Sequence, residues 1–298
     1  MADEVVSIWP YNPSFPVTVL ATALYGIILL AIFYLTIIKY RAWFFTTVVV
    51  GTAVEVLGYA LRCYSIKQPT QVAPFAASHS LIVLAPILIA AGNYLLIGRL
   101  IRAVLDPERT RHRVLGIPAR WLTRVFVCCD VVSCLVQASG SGLAAAQNWV
   151  GRMAEVGVGV LIGGLVLQTV AFAVFLGVLG RFWGMATGTG GELVRGDAPG
   201  GWRRVVGAVV VSSVLIMIRC IYRVAEFAEG MEGYSFNHEW LFWVFESAPM
   251  LIAIGVFCVF HPSAYLGPDG ASYKVGEFGD SEGATELRTS YDSGHGLR

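Results

Sequence analysis

The chain is poor in lysine and poor in charge. Of 21 basic residues only Lys39, Lys67 and Lys274 are lysines. None follows a glycine, so a G-x-x-x-x-G-K-[ST] phosphate loop is excluded, and with it nucleotide hydrolysis by that mechanism. A retinal Schiff base is excluded because the last apolar run carries no lysine. Charged residues make up 14% of 298, against about 25% in ordinary soluble domains. A net charge of +1 gives no bias toward nucleic acid. The six cysteines lie in or beside apolar runs without a C-x-x-C pair, so neither a disulfide framework nor a zinc site is expected. There is no G-x-S-x-G elbow, no H-E-x-x-H pair and no usable N-x-[ST] sequon, because Asn12 precedes a proline. The amino-terminal stretch is acidic with no basic n-region, so the first apolar run is expected to be retained rather than cleaved. No catalytic residue, metal or cofactor is assigned.

What is present is apolar sequence in long runs. Hydrophobic residues make up 56% of the chain and mean hydropathy is +0.67. About 20 consecutive apolar residues span a hydrocarbon core, and seven runs qualify: roughly 17–38, 43–63, 75–104, 118–142, 152–180, 205–228 and 239–260. The expected fold is an all-α, polytopic seven-helix membrane bundle. Residues 1–16 form an extracytoplasmic amino terminus, 17–262 the membrane domain, and 263–298, rich in glycine, serine and acidic residues, a disordered cytosolic tail. Gly159 and Gly163 form a small-xxx-small pair expected to serve helix packing. Sixteen basic residues fall on one side: Lys39 and Arg41, the arginines from Arg99 to Arg124, those from Arg181 to Arg204, and the tail. Arg62, Lys67 and Arg152 fall on the other, which predicts an outside amino terminus and a cytosolic carboxyl terminus.

Ionisable groups inside a bilayer cost at least about 2.5 kcal/mol each at a helix centre, so they need partners or water. The runs keep several: Glu55 and Arg62, His79, Asp130 and Gln137, Glu155, then Arg219, Arg223 and Glu226, and finally Glu246. On the expected topology all lie at or above the midplane, which predicts a polar, hydrated cavity open to the extracytoplasmic face. The same residues can instead pair as internal salt bridges that hold helix register. Asn93 and Gln168 read as packing residues.

Several of these residues carry a family pattern. Glu55-Val-Leu-Gly58-Tyr59-Ala-Leu-Arg62 resembles the E-x-x-G-Y-x-x-R signature of the fungal RTA-like, or lipid-translocating exporter, family. Ala85-Pro86 with Ala90, Ala91 and Tyr94 is similar to its third helix, Asp130 with Ser133, Gln137 and Gly140 to its fourth, and Gly164-Leu165 with Gln168 and Phe172 to its fifth. The stretch Ile218-Arg219 through Tyr222-Arg223, Glu226 and Gly230, then Glu239, Pro249-Met250 and His261-Pro262, completes the order. Trp243 and Glu246 depart from it, standing where a tyrosine and an aspartate are expected. The resemblance implies a multi-pass protein of plasma or internal membranes, linked to movement of sphingoid long-chain bases or other lipids and to resistance to toxic amphiphiles; with no phosphate loop, the expected function is an ATP-independent translocator or exporter of amphipathic lipids, and the plasma membrane is the expected location. Its partner would be a membrane lipid or other amphiphile, not a nucleotide or nucleic acid. The substrate-handling residues expected are Glu55, Arg62, His79, Asp130, Gln137, Arg219, Arg223, Glu226 and Glu246, with Asp130, Glu226 and Glu246 meeting a cationic head group. The alternatives are a seven-helix lipid-sensing receptor and an intramembrane lipid-modifying enzyme using Asp130, His79 and Glu246 as acid/base groups.

Overall fold

A computed structural model describes residues 12–105, 119–146, 151–187, 201–230 and 233–266. Among them seven helices are long and apolar enough to cross a membrane, and no strand occurs. Helix α1 (Phe15–Phe33) opens with a proline in its first turn and runs into a π-helical turn, Tyr34–Lys39. A 3-10 turn, Trp43–Phe45, leads into α2 (Thr46–Lys67). Then follow α3 (Val72–Val104), α4 (Ala119–Ala146), α5 (Arg152–Thr187) and α6 (Trp202–Glu229). The last span begins at Glu239–Leu241, passes through a second π turn, Phe242–Ser247, and continues as α7 (Ala248–Val259). A short helix, Pro262–Leu266, follows. The tail was expected to lack structure from 263 onward; residues 263–266 are helical, and the rest of the tail lies outside the described residues, as do 1–11 and the loop 188–200.

The exposure pattern inverts that of a water-soluble protein. Arg62 is 0% exposed while Leu30 is 70% exposed. Charge is inside and aliphatic surface outside, the arrangement that lipid as solvent requires. This is a multi-pass membrane protein. Helices α3 and α5, at 33 and 36 residues, exceed the length a bilayer needs. Hydroxyls within the spans are satisfied locally: Thr18, Thr52, Ser133 and Thr169 each donate to the carbonyl four residues back.

Glycine sets two close helix contacts. A Cβ at Gly51 or Gly58 of α2 would lie 2.8 Å from Ile89 or Ile82 of α3. Between α4 and α5 the backbones themselves touch. A Cβ at Gly140 would lie 2.5 Å from the Leu161 nitrogen, and one at Gly157 would lie 2.7 Å from the Ala144 nitrogen. Gly159 and Gly163, the pair whose spacing suggested packing, face open space. The seam uses Gly157 and Gly164 instead, seven residues apart and so on one face. Helices α1 and α7 run parallel, joined by Tyr25 Oη donating to the Ser247 carbonyl at 2.7 Å and by Thr36 Oγ1 bonded to His261 Nε2 at 3.1 Å.

Candidate functional site

Spacing on α6 puts Arg219, Arg223 and Glu226 in one stripe, and the stripe faces α7. There the π turn carries Glu246 into the interior, where it is 1% exposed. Wide turns of this kind recur at functional positions because they re-aim one side chain without ending the helix. Glu246 is the hub: Arg219 Nη2 donates to its Oε1 at 3.0 Å and Arg223 Nη1 to its Oε2 at 3.3 Å. Arg223 also holds Glu226 at 2.7 Å. Arg219 has a second role. Pro86 has no N–H to give the carbonyl four residues back, and Arg219 Nη2 donates to that carbonyl, Ile82 O, at 2.9 Å. A kink-prone proline on α3 and an arginine on α6 thus satisfy each other. Two arginines and two glutamates balance in charge, which lets the group sit in an apolar interior.

Next to this hub, toward the end of the bundle where α1 and the last span begin, lies a second pair. Arg62 Nη2 is 3.5 Å from Glu239 Oε1, and its guanidinium lies over Phe242 at 4.3 Å and near Trp243 at 5.6 Å. Glu239 also accepts from the Ser14 nitrogen at 2.9 Å and the Ser14 hydroxyl at 2.9 Å, so one carboxylate ties the start of α1 to α2. Trp243 stacks against Tyr59, which stacks in turn on Tyr25. Its indole fills the place of the expected tyrosine with ring area, and its Nε1 is buried without a partner. Glu55 is buried beside these rings, within the field of Arg219 and Glu246, and its Oε2 has no hydrogen-bond partner.

Asp130 lies elsewhere. Its Oδ2 accepts from Tyr94 Oη at 2.9 Å. Tyr94 and Ile82, the residue held by Arg219, are twelve positions apart on α3, about 18 Å at 1.5 Å per residue. The expectation that Asp130 shares the level of the other charges is therefore corrected: it sits toward the opposite end of the bundle. Nor do Asp130, His79 and Glu246 meet. Fifteen residues separate His79 from Tyr94 on α3, about 22 Å of helix, so they form no acid/base trio. His79 packs on the Phe75 ring at 4.7 Å. Glu155, counted among the cavity carboxylates from its place in the sequence, is exposed in the first turn of α5, where a negative charge complements the helix dipole.

Neutral polar groups accompany both levels. Gln137 Nε2 donates to Gln168 Oε1 at 2.8 Å across the α4–α5 seam. Asn93 Nδ2 donates to Ser212 and Ser213 of α6 at 3.1 and 3.3 Å. Gln168 and Asn93 do serve packing, but as paired polar groups. A cavity of about 10 Å³ opens here, lined by Gln137, Gln168, Thr169, Arg219, Cys220 and Arg223 among others. That is room for about one water. Among the described residues the charges expected to line a hydrated vestibule gather against one another. Glu239, Tyr94 and the Ile82 carbonyl were not expected as partners. Glu239 stands at a predicted span's edge, and only the missing N–H of Pro86 could have pointed to Ile82.

The fold and this interior define a polytopic membrane protein built around buried, charge-balanced ion pairs. The chain belongs to the RTA1-like family: the family described as "RTA1 like protein" matches residues 48–269. It is 35% identical over 209 residues to Protein RTM1 of Saccharomyces cerevisiae, covering 70% of this chain and 64% of that protein. It is 34% identical over 209 residues to Protoporphyrin uptake protein 1 of the same species, covering 70% and 65%. Over 276 residues it is 26% identical to the Sphingoid long-chain base transporter RSB1, covering 79% and 68%. The first two matches thus span a little under two thirds of those relatives' lengths. No solved structure matches.

Proposed function

We propose that this chain moves amphipathic lipids across a membrane without hydrolysing ATP, handling a charged head group with its interior ion pairs. The carrying observation is the Glu246 hub, where one carboxylate holds two arginines from the neighbouring helix. Such a group can trade an internal partner for a ligand's ammonium or phosphate at little net change in charge, and polar groups at membrane depth mark substrate paths more often than scaffolding. Relatives named as a sphingoid long-chain base transporter and a probable lipid transporter support the same substrate class. Arg219, Arg223, Glu226 and Glu246 would meet the head group first, with Glu55, Arg62, His79 and Gln137 around them. The excess of basic residues at the other end supports a cytosolic carboxyl terminus, and the plasma membrane and amphiphile resistance follow as parts of the same reading.

The test is transbilayer movement of labelled sphingoid base, phospholipid and sterol in phosphatidylcholine vesicles carrying the purified full chain. At least one amphiphile should cross faster than in protein-free vesicles, and Arg219→Gln should slow it by about tenfold, the loss of about 1.4 kcal/mol. Movement at the protein-free rate for every lipid would overturn the proposal. The mutual pairing of the buried charges favours one second reading: a sensor whose hub a lipid breaks. Lipid-dependent recruitment of a soluble partner, with no movement in vesicles, would decide for it.

A further inference from the structure

Asp130 is 1% exposed, and its single hydrogen bond comes from the Tyr94 hydroxyl. Its other oxygen, Oδ1, is buried with no partner. No arginine or lysine pairs with it among the described residues. The titratable groups whose charges reach it or Tyr94 are Cys129 and Cys134 on its own helix and Cys220 on α6. None supplies a positive charge. The tyrosine that holds it is itself set in an aromatic cluster: the Tyr94 ring lies 5.3 Å from Phe126 of α4, and 6.1 and 4.6 Å from Phe172 and Phe175 of α5, centroid to centroid. A carboxylate enclosed this way has two ways to be neutral, a proton on its free oxygen or a cation beside it. The second would also give the free oxygen the partner it lacks.

We propose that Asp130 is an exchange site at which a proton and the ammonium head group of a long-chain amine displace one another, so that amine entry releases one proton. In the closed structure the proton occupies Oδ1. When the amine binds, the O–H bond breaks, the proton leaves to solvent, and the carboxylate faces the ammonium; no oxidation or reduction occurs. The inference rests on the reading that this chain binds amphipathic amines, and it adds the coupling ion.

The test uses N,N,N-trimethylsphingosine, whose fixed positive charge can neither give nor take a proton. Purified full-length protein in weakly buffered detergent is titrated with it, and proton release is read with a pH indicator dye while binding is read separately by equilibrium dialysis. Release approaching one proton per bound probe is expected in mildly acidic buffer, near pH 5, and should fall as pH rises toward neutral; none is expected from Asp130→Asn, and release should be restored in Asp130→Glu. Binding without release by the unmodified protein, or equal release from Asp130→Asn, overturns the exchange and leaves the lipid reading standing. No binding of the probe or of sphingosine itself overturns both. If Asp130→Asn fails to fold, Tyr94→Phe supplies the second variant: release at an altered midpoint pH supports the site, and an unaltered one overturns it.

Discussion

Two polar regions share this bundle and solve the same problem in opposite ways. At the Glu246 level, charge is cancelled by charge, with arginines and glutamates from α2, α6 and the last span bonded at 2.7–3.5 Å. At the Tyr94 level a lone carboxylate meets a hydroxyl, and among the described residues no cation pairs with it. The first arrangement binds tightly because removing one partner strands the other in a medium that cannot solvate it. The second holds a group whose charge can change without stranding anything. A mutually paired cluster and a carboxylate held by one hydroxyl are thus set about a dozen residues apart along α3.

This contrast can be broken experimentally. The largest effect should come from Glu246→Gln, which leaves two buried arginines sharing Glu226. We expect a loss of about 3–5 kcal/mol in stability, read by denaturant unfolding of the protein in mixed micelles. Glu246→Gln combined with Arg219→Met should recover part of it, since the orphaned charge is gone; no recovery would show that the hub does not act as a coupled unit. Next is Gly140→Val on the α4–α5 seam that carries Asp130 and Gln137. A side chain there meets the Leu161 nitrogen at 2.5 Å, and backbone cannot yield as a flexible side chain does, so about 1–3 kcal/mol should be lost. Wild-type stability would mean that the helices part freely. The smallest effect belongs to Tyr94→Phe, which removes one hydroxyl from Asp130 and should cost about 1 kcal/mol. A loss as large as that of Glu246→Gln would erase the distinction between the two regions.

Reading the residues alone places some of this well. The α6 stripe was visible because Arg219, Arg223 and Glu226 recur at helical spacing, and Gly58, Tyr59 and Arg62 stood in a recognisable order. Depth was less readable. Counting along a span assigns a residue to a level only if every span starts at the same height, and Asp130 on α4 shows that they do not. The glycine seam failed for a related reason: Gly159 and Gly163 have the favoured spacing, but the face α5 presents to α4 is that of Gly157 and Gly164. Exposure of Glu155 likewise depended on where the helix began relative to its neighbours.

By itself, then, the sequence determined the class of molecule, its seven spans, the family, and which residue types must be hidden. Those follow from transfer free energies and periodicity, which act locally along the chain. Only the tertiary structure decided which hidden groups meet: that Glu239 takes Arg62, that Arg219 covers the carbonyl freed by Pro86, and that Asp130 is left with a tyrosine. Pairing depends on the relative height and rotation of helices that are distant in sequence, and side-chain reach of a few ångströms makes those offsets decisive.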